Sequence, residues 1–313
     1  MSEEPQHSFG VVALVGRPNA GKSTLLNRVL GHKVSIVSDK PQTTRNRIVG
    51  VLNDERGQLA FLDTPGVHKP LHRLNVRMMD HVRSALTEAD VIALIVDATQ
   101  DFGKGDQFVI DLIAREKEQN PDAKRFALLN KIDLLKKHKL LPLMERYSAF
   151  GLFDEIIPIS ASTGDGVREL TELLFDTVAP GEALYPKEDY TTQPERFFAA
   201  EIVREKLLHH TSEELPYTTA VHVDRFEEDE PDPSTPLRTG FIRIWATIYV
   251  ERDSQKGIVL GKQGSMIKRI GTEARVELES ILGAKVHLDL HVSVHQDWRD
   301  DTRFLGELER PLG

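Results

Sequence analysis

Cysteine is absent from this sequence of 313 residues, which excludes disulfide bridges, thiolate metal sites and a cysteine nucleophile. Long hydrophobic runs are absent as well. The longest, at 91–96, has six residues, whereas a membrane-spanning helix needs about 20. The first ten residues, MSEEPQHSFG, do not follow the basic and then apolar pattern of a signal peptide. These absences lead us to expect a cytoplasmic protein.

Positive charge is also in deficit. The 40 Lys and Arg residues are outnumbered by 49 Asp and Glu residues, which gives a net charge of −9. This balance argues against attraction of nucleic acid by the whole molecule. Screening limits the reach of exposed charges to about 8 Å at physiological salt. A nucleic-acid site would therefore have to be a local basic surface.

The sequence predicts two domains, at residues 1–180 and 196–313, joined by a linker at 181–195. The first half alternates short apolar runs with helical segments, which is typical of a mostly parallel sheet with helices on both faces. We predict its strands at 9–15, 58–62, 91–97, 125–129 and 155–159, and helices at 74–88 and 106–119. Residues 48–52 could pair with 58–62 as an antiparallel hairpin at the sheet edge.

After residue 179 the composition changes to PGEALYPKEDYTTQPE, whose proline, glycine and charge without periodicity predict a linker. Beyond it we predict a helix at 194–210, strands at 218–224 and 239–251, helical segments around GKQG, and a last strand at 284–294. An acidic loop, EEDEPDPSTP, separates the first two strands. This order indicates an α+β domain. Phe241, Trp245 and Tyr249 share one face of the second strand, and we expect them to be packed.

A glycine-rich stretch, GRPNAGKS at 16–23, follows the first predicted strand and precedes a predicted helix. Its glycines allow successive backbone N–H groups to point at phosphate oxygens, and the helix adds the positive end of its dipole. In this phosphate loop, Lys22 would reach the β- and γ-phosphates and the Ser23 hydroxyl would ligate Mg²⁺. The predicted nucleotide-binding residues here are Asn19, Ala20, Gly21, Lys22, Ser23 and Thr24.

Two later motifs indicate that the base is guanine. NKID at 130–133 follows an apolar strand, and the Asp133 carboxylate can accept hydrogen bonds from guanine N1–H and the 2-amino group, a donor pair that adenine lacks. SAS at 160–162 ends the next strand, where backbone N–H groups could meet guanine O6. The predicted base-binding residues are Asn130, Lys131, Asp133, Ser160, Ala161 and Ser162. The alternative is a small-molecule kinase with the same phosphate loop, which predicts a preference for ATP.

Two loops are predicted to respond to the terminal phosphate. In FLDTPGV at 61–67, Asp63 would hold Mg²⁺ through water and the Gly66 N–H would sense the γ-phosphate. In KPQTTR at 40–45, Thr44 rather than Thr43 would close over Mg²⁺ only when the γ-phosphate is present. The predicted metal ligands are therefore Ser23, Thr44 and, through water, Asp63.

Val67 stands where the best-known switch proteins carry a glutamine that positions the attacking water. A valine side chain can neither donate nor accept a hydrogen bond, and no other side chain is an obvious base. We expect the catalytic groups to be Lys22, Thr44 and Gly66, which would stabilise charge on the transferred phosphate.

The second predicted domain contains GKQG at 261–264 between two helical segments. In RNA-binding KH domains a GxxG loop clamps the nucleic-acid backbone, and lysines and arginines around this loop form a local cationic surface. The predicted RNA-binding residues are Gly261, Lys262, Gln263, Gly264, Lys268 and Arg269. A non-catalytic, GTP-gated scaffold whose second domain binds protein is the alternative.

The nucleotide motifs, in this order, resemble the translation-factor-like branch of P-loop GTPases over residues 9–178. QTTR, DTPG followed by a hydrophobic residue, NKxD and SAS are similar more narrowly to the Era group of bacterial GTPases, and the second domain resembles the KH type II fold. The resemblance implies GTP hydrolysis with Mg²⁺, binding near the 3′ end of small-subunit ribosomal RNA, and a role in small-subunit assembly. It also implies that the GTP state favours RNA binding and that RNA speeds hydrolysis.

The resemblance bears on the valine and on partners as well. A hydrophobic residue after DxxG is shared within this group, and in several such GTPases an asparagine at the position of Asn19 helps to bind K⁺. Asn19 could equally be a loop residue that caps its own backbone. A peripheral membrane association has been linked to the family, but the sequence shows no anchor or clearly amphipathic basic helix. We expect a monomer whose partners are small-subunit ribosomal RNA and the small ribosomal subunit.

Overall fold

In a computed structural model of the chain, residues 7–68, 70–229 and 240–309 are described. They form two compact units, the first of Met1–Leu71 with Asn75–Thr192 and the second of Gln193–Gly313 with His72–Leu74, and each unit has its own β-sheet. Lys69 and most of the predicted acidic loop, at 230–239, lie outside the described residues. Within the described ranges, no helix is both long enough and apolar enough to cross a membrane.

The first unit is built on a six-stranded sheet. Its strands are β1 Ser8–Gly16, β2 Ile48–Asp54, β3 Gly57–Asp63, β4 Val91–Asp97, β5 Lys124–Asn130 and β6 Glu155–Pro158. They lie in the order β2-β3-β1-β4-β5-β6, and every neighbouring pair is parallel except the antiparallel hairpin of β2 and β3. Its helices are α1 Lys22–Leu30, α2 Arg73–Glu88, α3 Lys104–Glu116, α4 Leu140–Ser148 and α5 Val167–Thr177. The predicted α/β architecture with an edge hairpin is confirmed.

The apolar runs explain this arrangement. The side chains of residues 91–96 in β4 are all buried, as expected for a central parallel strand that is covered on both faces. Because β1, β3 and β5 run parallel, their carboxyl ends lie at one edge of the sheet. Ligands of open α/β sheets bind at that edge, and the phosphate loop, the DTPG motif and the NKID motif all follow strands that end there.

The segment 184–191, which we call the edge strap, hydrogen-bonds to the β2–β3 hairpin. The Val51 N–H donates to the Tyr190 carbonyl at 3.0 Å, and the buried Gln58 amide bonds the main chain of Leu184 and Tyr185. An uncovered edge strand would leave its backbone groups open to pairing with another chain. The segment predicted as a linker thus covers part of the sheet edge.

The second unit has a three-stranded sheet in which β8 is central. The strands are β7 Ala220–Asp229, β8 Phe241–Val250 and β9 Lys285–Val294, with β7 antiparallel and β9 parallel to β8. The helices are α6 Glu195–His210, α7 Leu215–Thr218, α8 Asp253–Leu260, α9 Ser265–Leu282 and α10 Thr302–Glu309. The predicted α-β-β-α-α-β order is confirmed, and α7 and α10 are additions that the sequence patterns did not predict.

The aromatic face of β8 is only partly packed. Residues 242, 244, 246, 248 and 250 point to the buried side, so the alternating residues lie on the opposite face. Tyr249 packs edge-on against Phe304 of α10, with ring centroids 4.8 Å apart, and the Arg225 guanidinium lies 5.0 Å from the Trp245 ring. Phe241 is 39% exposed. Phe241 begins the strand, and among the described residues only the Arg243 guanidinium, 5.2 Å from the ring centroid, is recorded against its ring, so the expectation of packing holds least well there.

Candidate functional site

The phosphate loop connects β1 to α1 and encloses the Lys22 ammonium. The Lys22 Nζ atom donates to the carbonyls of Gly16 at 3.2 Å and Arg17 at 3.1 Å. Burial lowers the pKa of Lys22 to about 8, although the Asp63 charge opposes this shift. The loop therefore holds the lysine where a phosphate could replace its carbonyl partners.

Three predicted metal-binding side chains converge next to this loop. The Ser23 hydroxyl donates to Asp63 Oδ2 at 2.7 Å and lies 3.0 Å from the Thr44 hydroxyl, which is itself 3.4 Å from the same carboxylate oxygen. Thr43 is directed elsewhere, because its hydroxyl donates to the Lys40 carbonyl at 2.6 Å. A fourth side chain that the sequence did not indicate, Ser35, donates to Asp63 Oδ2 at 2.9 Å.

The Asp63 carboxylate has the properties of a metal-site group. Its Oδ2 accepts the three hydroxyls, whereas its Oδ1 is buried and has no hydrogen-bond partner among the described residues. Burial raises the pKa of Asp63, and the Lys22 charge and the hydroxyl hydrogen bonds oppose that shift. A buried polar atom without a partner is costly. Hydroxyl and carboxylate oxygens are the donors that Mg²⁺ prefers, so these residues fit that ion.

The Val67 side chain is directed into the hydrophobic core and not into the nucleotide cleft. Its side chain is 2% exposed and belongs to the hydrophobic core of the first unit, with Met79 among the members, while its N–H donates to the Gly16 carbonyl at 3.0 Å. Gly66 lies so close to the loop that a Cβ there would be 2.8 Å from Pro18 Cα. The second predicted switch loop is thus anchored by backbone contacts to the phosphate loop.

The two predicted switch loops also contact each other and the phosphate loop. His68 Nδ1 lies 2.8 Å from the Gly66 carbonyl, and its Nε2 lies 3.2 Å from the Gln42 side-chain amide. The Asn19 side-chain amide donates to the Asp39 carbonyl at 2.5 Å. The phosphate loop, residues 36–39 and 42–44, Gly66 and Lys131 line a cleft of about 410 Å³.

The predicted base-binding motifs meet at the end of the same cleft. The Asn130 side chain donates to the Ala20 carbonyl at 2.7 Å and accepts from the Ala161 N–H at 2.9 Å. It therefore ties the phosphate loop to the SAS loop. The exposed Asp133 accepts a hydrogen bond from the Ser160 hydroxyl at 2.6 Å, which orients its carboxylate.

Two further side chains hold these motifs. The Lys131 Nζ atom lies 2.6 Å from Asp97 Oδ2. Burial would raise the pKa of Asp97, but hydrogen bonds from Lys131 and Thr99 outweigh it and hold that pKa below its usual value. The Arg28 guanidinium of α1 donates to the carbonyls of Ala161 and Ser162. The SAS loop is thereby fixed from its carbonyl side, while the N–H groups of Ser160 and Ala161 donate to the Asp165 carbonyl at 2.8 Å and to the Asn130 side chain at 2.9 Å.

Sequence reasoning missed four polar side chains of this site, namely Asn27, Arg28, Ser35 and Asp97. Asp97 ends β4 at the carboxyl edge of the sheet, so the rule that ligands bind at this edge could have identified it. Arg28 reaches the SAS loop from α1, Ser35 bonds Asp63 from the loop after α1, and Asn27 of α1 bonds the main chain of Ser35. The sequence carries no periodic or motif signal for these contacts.

The GKQG stretch forms a tight loop between α8 and α9. Its backbone has a φ of +71° at Gly261, +53° at Gln263 and +76° at Gly264, a region that favours glycine. A Cβ on Gly261 would lie 2.8 Å from the Met266 nitrogen. The predicted side chains Lys262, Gln263, Lys268 and Arg269 are exposed, although Arg269 pairs with Glu273 at 3.1 Å.

A groove beside this loop was not predicted. It has a volume of about 280 Å³ and lies between α9 and the edge strand β9, with Lys268 and Arg275 on one wall and Leu288 and Leu290 on the other. Gly271 keeps it open, because a Cβ at this residue would lie 3.3 Å from the Leu290 side chain. The groove combines apolar walls with Lys268 and with Arg275, whose guanidinium also pairs with Glu279 at 3.1 Å.

Comparisons with known proteins match both units. Residues 11–131 match the family described as 50S ribosome-binding GTPase, and residues 214–299 match the KH domain. The chain is 48% identical to the GTPase Era of Geobacter metallireducens over 308 residues, which are 98% of this chain and 99% of that protein.

Solved structures agree with these matches. A crystal structure of Era in complex with MgGDPNP and nucleotides 1506–1542 of 16S ribosomal RNA is 38% identical, with a TM-score of 0.88 over 97% of this chain and 99% of that one. A variant of Aquifex aeolicus Era bound to GDP·AlF4⁻ is also 38% identical, with a TM-score of 0.88 over 96% and 99% of the two chains.

Proposed function

This chain belongs to the Era family of GTPases, and we propose that its GTP cycle controls binding to the 3′ region of small-subunit ribosomal RNA during small-subunit assembly. Its membership confirms the predicted GTPase class and removes the small-molecule kinase alternative. The observation that carries the proposal is the pairing of two sites in one chain. One is the Ser23, Thr44 and Asp63 cluster beside the phosphate loop, and the other is the GKQG loop with its cationic groove.

In the proposed mechanism, the phosphate loop binds the nucleotide through its backbone N–H groups, and Lys22 stabilises charge on the β- and γ-phosphates. The hydroxyls of Ser23 and Thr44, with Asp63 acting through water, would hold Mg²⁺, whose charge neutralises phosphate oxygens when it is bound. The Gly66 N–H would donate a hydrogen bond to the γ-phosphate, so the conformation of the second switch loop would depend on whether that phosphate is present. The close contact between Gly66 and Pro18 supports this role.

Guanine recognition is proposed to rest on Asp133, with its carboxylate oriented by Ser160. Asn130 would hold the base site at a fixed position relative to the phosphate loop, because its amide hydrogen-bonds to both. Lys131, paired with Asp97, would cover one face of the base with its aliphatic stem. A backbone N–H group of residues 160–162 would meet guanine O6, and those of Ser160 and Ala161 would exchange their present acceptors, the Asp165 carbonyl and Asn130, to do so.

The attacking water must be positioned by groups other than the buried Val67 side chain. Asn19 would help to hold K⁺, which supplies positive charge near the bond that breaks. The Asn19 side chain lines the nucleotide cleft. Its Nδ2 donates to the Asp39 carbonyl, so its Oδ1 is the atom that would ligate K⁺. Backbone groups of the two switch loops would complete the site.

RNA is proposed to bind across the GKQG loop and along the groove between α9 and β9. The glycines allow close approach of a phosphate, while Lys262, Lys268 and Arg269 supply charge. The apolar walls at Leu288 and Leu290 would contact unstacked bases. We place this activity in the cytoplasm, because the proposed RNA partner is there. We expect the working form to be a monomer.

Binding of a fluorescent RNA from the small-subunit 3′ end tests the proposal. Anisotropy titrations with a non-hydrolysable GTP analogue and with GDP should give tighter binding in the GTP-like state. A scrambled RNA of equal length is the control for sequence. Equal affinity in both nucleotide states would refute nucleotide control, and equal affinity for both RNAs would refute the 3′-end target.

A further inference from the structure

The loop after α1 contains a buried serine that no nucleotide motif includes. Ser35 is 1% exposed, and its hydroxyl donates to Asp63 Oδ2 at 2.9 Å. A serine buried to this degree requires a hydrogen-bond partner. Many main-chain carbonyls could serve that purpose, but here the partner is the carboxylate of the DTPG motif.

The main chain of Ser35 is itself clamped by one side chain of α1. The Asn27 Oδ1 atom accepts from the N–H groups of Val34 at 2.9 Å and Ser35 at 3.0 Å. The Asn27 Nδ2 atom donates to the Ser35 carbonyl at 2.7 Å. The neighbouring Val34 and Ile36 are buried as well. The Ser35 hydroxyl is therefore presented from a fixed backbone, whereas Thr44 lies in a loop that is expected to move.

The three hydroxyls that contact the Asp63 carboxylate thus have different roles. Those of Ser23 and Thr44 belong to the proposed metal ligands and would turn toward the ion when it binds. The Ser35 hydroxyl is the one that stays on Oδ2, so the carboxylate keeps one fixed hydrogen bond when the other two hydroxyls turn away. A carboxylate held by such a hydrogen bond loses less rotamer freedom when the metal binds.

From this geometry we infer that Ser35, clamped by Asn27, is a positioning residue that orients Asp63 for Mg²⁺ and keeps it oriented in the GDP state. The inference rests on the proposed role of Asp63 in the metal site. It predicts that loss of the Ser35 hydroxyl weakens Mg²⁺ retention most when Thr44 has withdrawn. Because the metal bridges protein and phosphates, GDP release then becomes faster at low Mg²⁺.

The test measures release of a fluorescent GDP analogue from the full chain across a range of buffered free Mg²⁺. In Ser35→Ala, the Mg²⁺ concentration that gives half-maximal slowing of release should rise about tenfold, as expected for loss of one hydrogen bond to a charged group. Release at saturating Mg²⁺ should match the wild type. Ser35→Thr keeps the hydroxyl and should restore the wild-type midpoint, and Ser35→Cys, which keeps the size but has a weak donor, should shift as Ala does.

Thr211→Val is the matched control. Thr211 is also buried, but it lies in the second unit and its hydroxyl donates to the Leu207 carbonyl at 2.6 Å. Its loss should lower the melting temperature and leave the Mg²⁺ midpoint unchanged. Wild-type midpoints in both Ser35→Ala and Ser35→Cys, or an equal shift in Thr211→Val, would overturn the inference alone. Release from the wild type at a rate that does not depend on Mg²⁺ would overturn the proposed metal site, and the inference with it.

Discussion

Val67 shows how one residue can look like a defect in the sequence and be a core residue in the structure. Its side chain is almost fully buried in the hydrophobic core, and its N–H is bonded to the phosphate loop. The side chain therefore has no route to a water molecule in the cleft. We propose that backbone groups of the switch loops position the water and that K⁺ held by Asn19 supplies charge.

Replacement of Val67 with glutamine should therefore not improve the enzyme. We expect Val67→Gln to lower the free energy of unfolding by about 1–3 kcal/mol, because it buries an amide without partners, and to leave intrinsic GTP hydrolysis no faster. Denaturation of the GDP-bound protein and single-turnover hydrolysis measure the two quantities, with Val67→Thr as a variant of similar shape. Faster hydrolysis at unchanged stability would show that residue 67 reaches the cleft.

Asp133 should decide which base is bound. We expect Asp133→Asn to weaken GTP binding by about 10- to 100-fold, the effect of losing hydrogen bonds to a charged group, and to shift preference toward xanthosine triphosphate. Competition against a fluorescent nucleotide measures both affinities. Asp165→Asn, in the loop that follows SAS, is the control. GTP affinity that does not change in Asp133→Asn would refute the base assignment.

Residues within motifs were predictable from the sequence, and those that support them were not. Ser23, Thr44 and Asp63 come together at the carboxyl edge of the sheet, because Ser23 lies in the first turn of α1, Asp63 ends β3, and Thr44 lies in the loop before β2. Ser35 and Arg28 reach the site from outside any motif. Their roles depend on where α1 packs, and this packing leaves no short-range pattern.

At the scale of elements, the edge strap gives the hairpin of β2 and β3 a partner. Gln58, which is 1% exposed, accepts from the N–H groups of Leu184 and Tyr185, both at 3.0 Å, and donates to the Tyr185 carbonyl at 2.9 Å. The hairpin joins the two switch loops along the chain. The strap therefore restrains the element that lies between them.

Gln58→Leu should release the strap. The amides of Leu184 and Tyr185 would lose their acceptor, so we expect faster hydrogen exchange over 184–191 and a stability loss of about 1–3 kcal/mol. Exchange followed by mass spectrometry measures the first effect. Gln107→Leu, at a surface glutamine of α3 that bonds only Asp111 among the described residues, is the control. Unchanged protection of the strap would contradict its anchoring by Gln58.

Strands were predicted to within a few residues because their apolar runs are short and bounded by turn residues. The helix α4 was missed because its sequence, LLPLMERYS, has a proline in the first turn and little polar alternation. The strap was predicted only as a linker. It is rich in proline and charged residues, as a linker is, but it contacts the hairpin through its own main-chain groups, and composition cannot reveal such contacts.

At the scale of the whole molecule, a net charge of −9 makes RNA binding depend on a local surface. We expect Lys262→Ala to weaken RNA binding and to make the slope of log K against log salt concentration shallower by about 0.7 for each RNA phosphate that is no longer neutralised. Titrations at several KCl concentrations measure this slope. Lys104→Ala, in α3 of the first unit, makes the same charge change away from the loop. Identical slopes in both variants would show that Lys262 does not contact the RNA.

The resemblance to the Era group implies that RNA speeds hydrolysis, and we therefore expect RNA binding and GTP hydrolysis to be coupled in this chain. The most direct measurement is GTP turnover by the full chain in K⁺ buffer, with and without RNA from the small-subunit 3′ end, and again in Na⁺ buffer. We predict slow turnover alone, faster turnover with the RNA, and loss of the K⁺ advantage in Asn19→Ala. Turnover that is the same with and without the RNA would contradict the account.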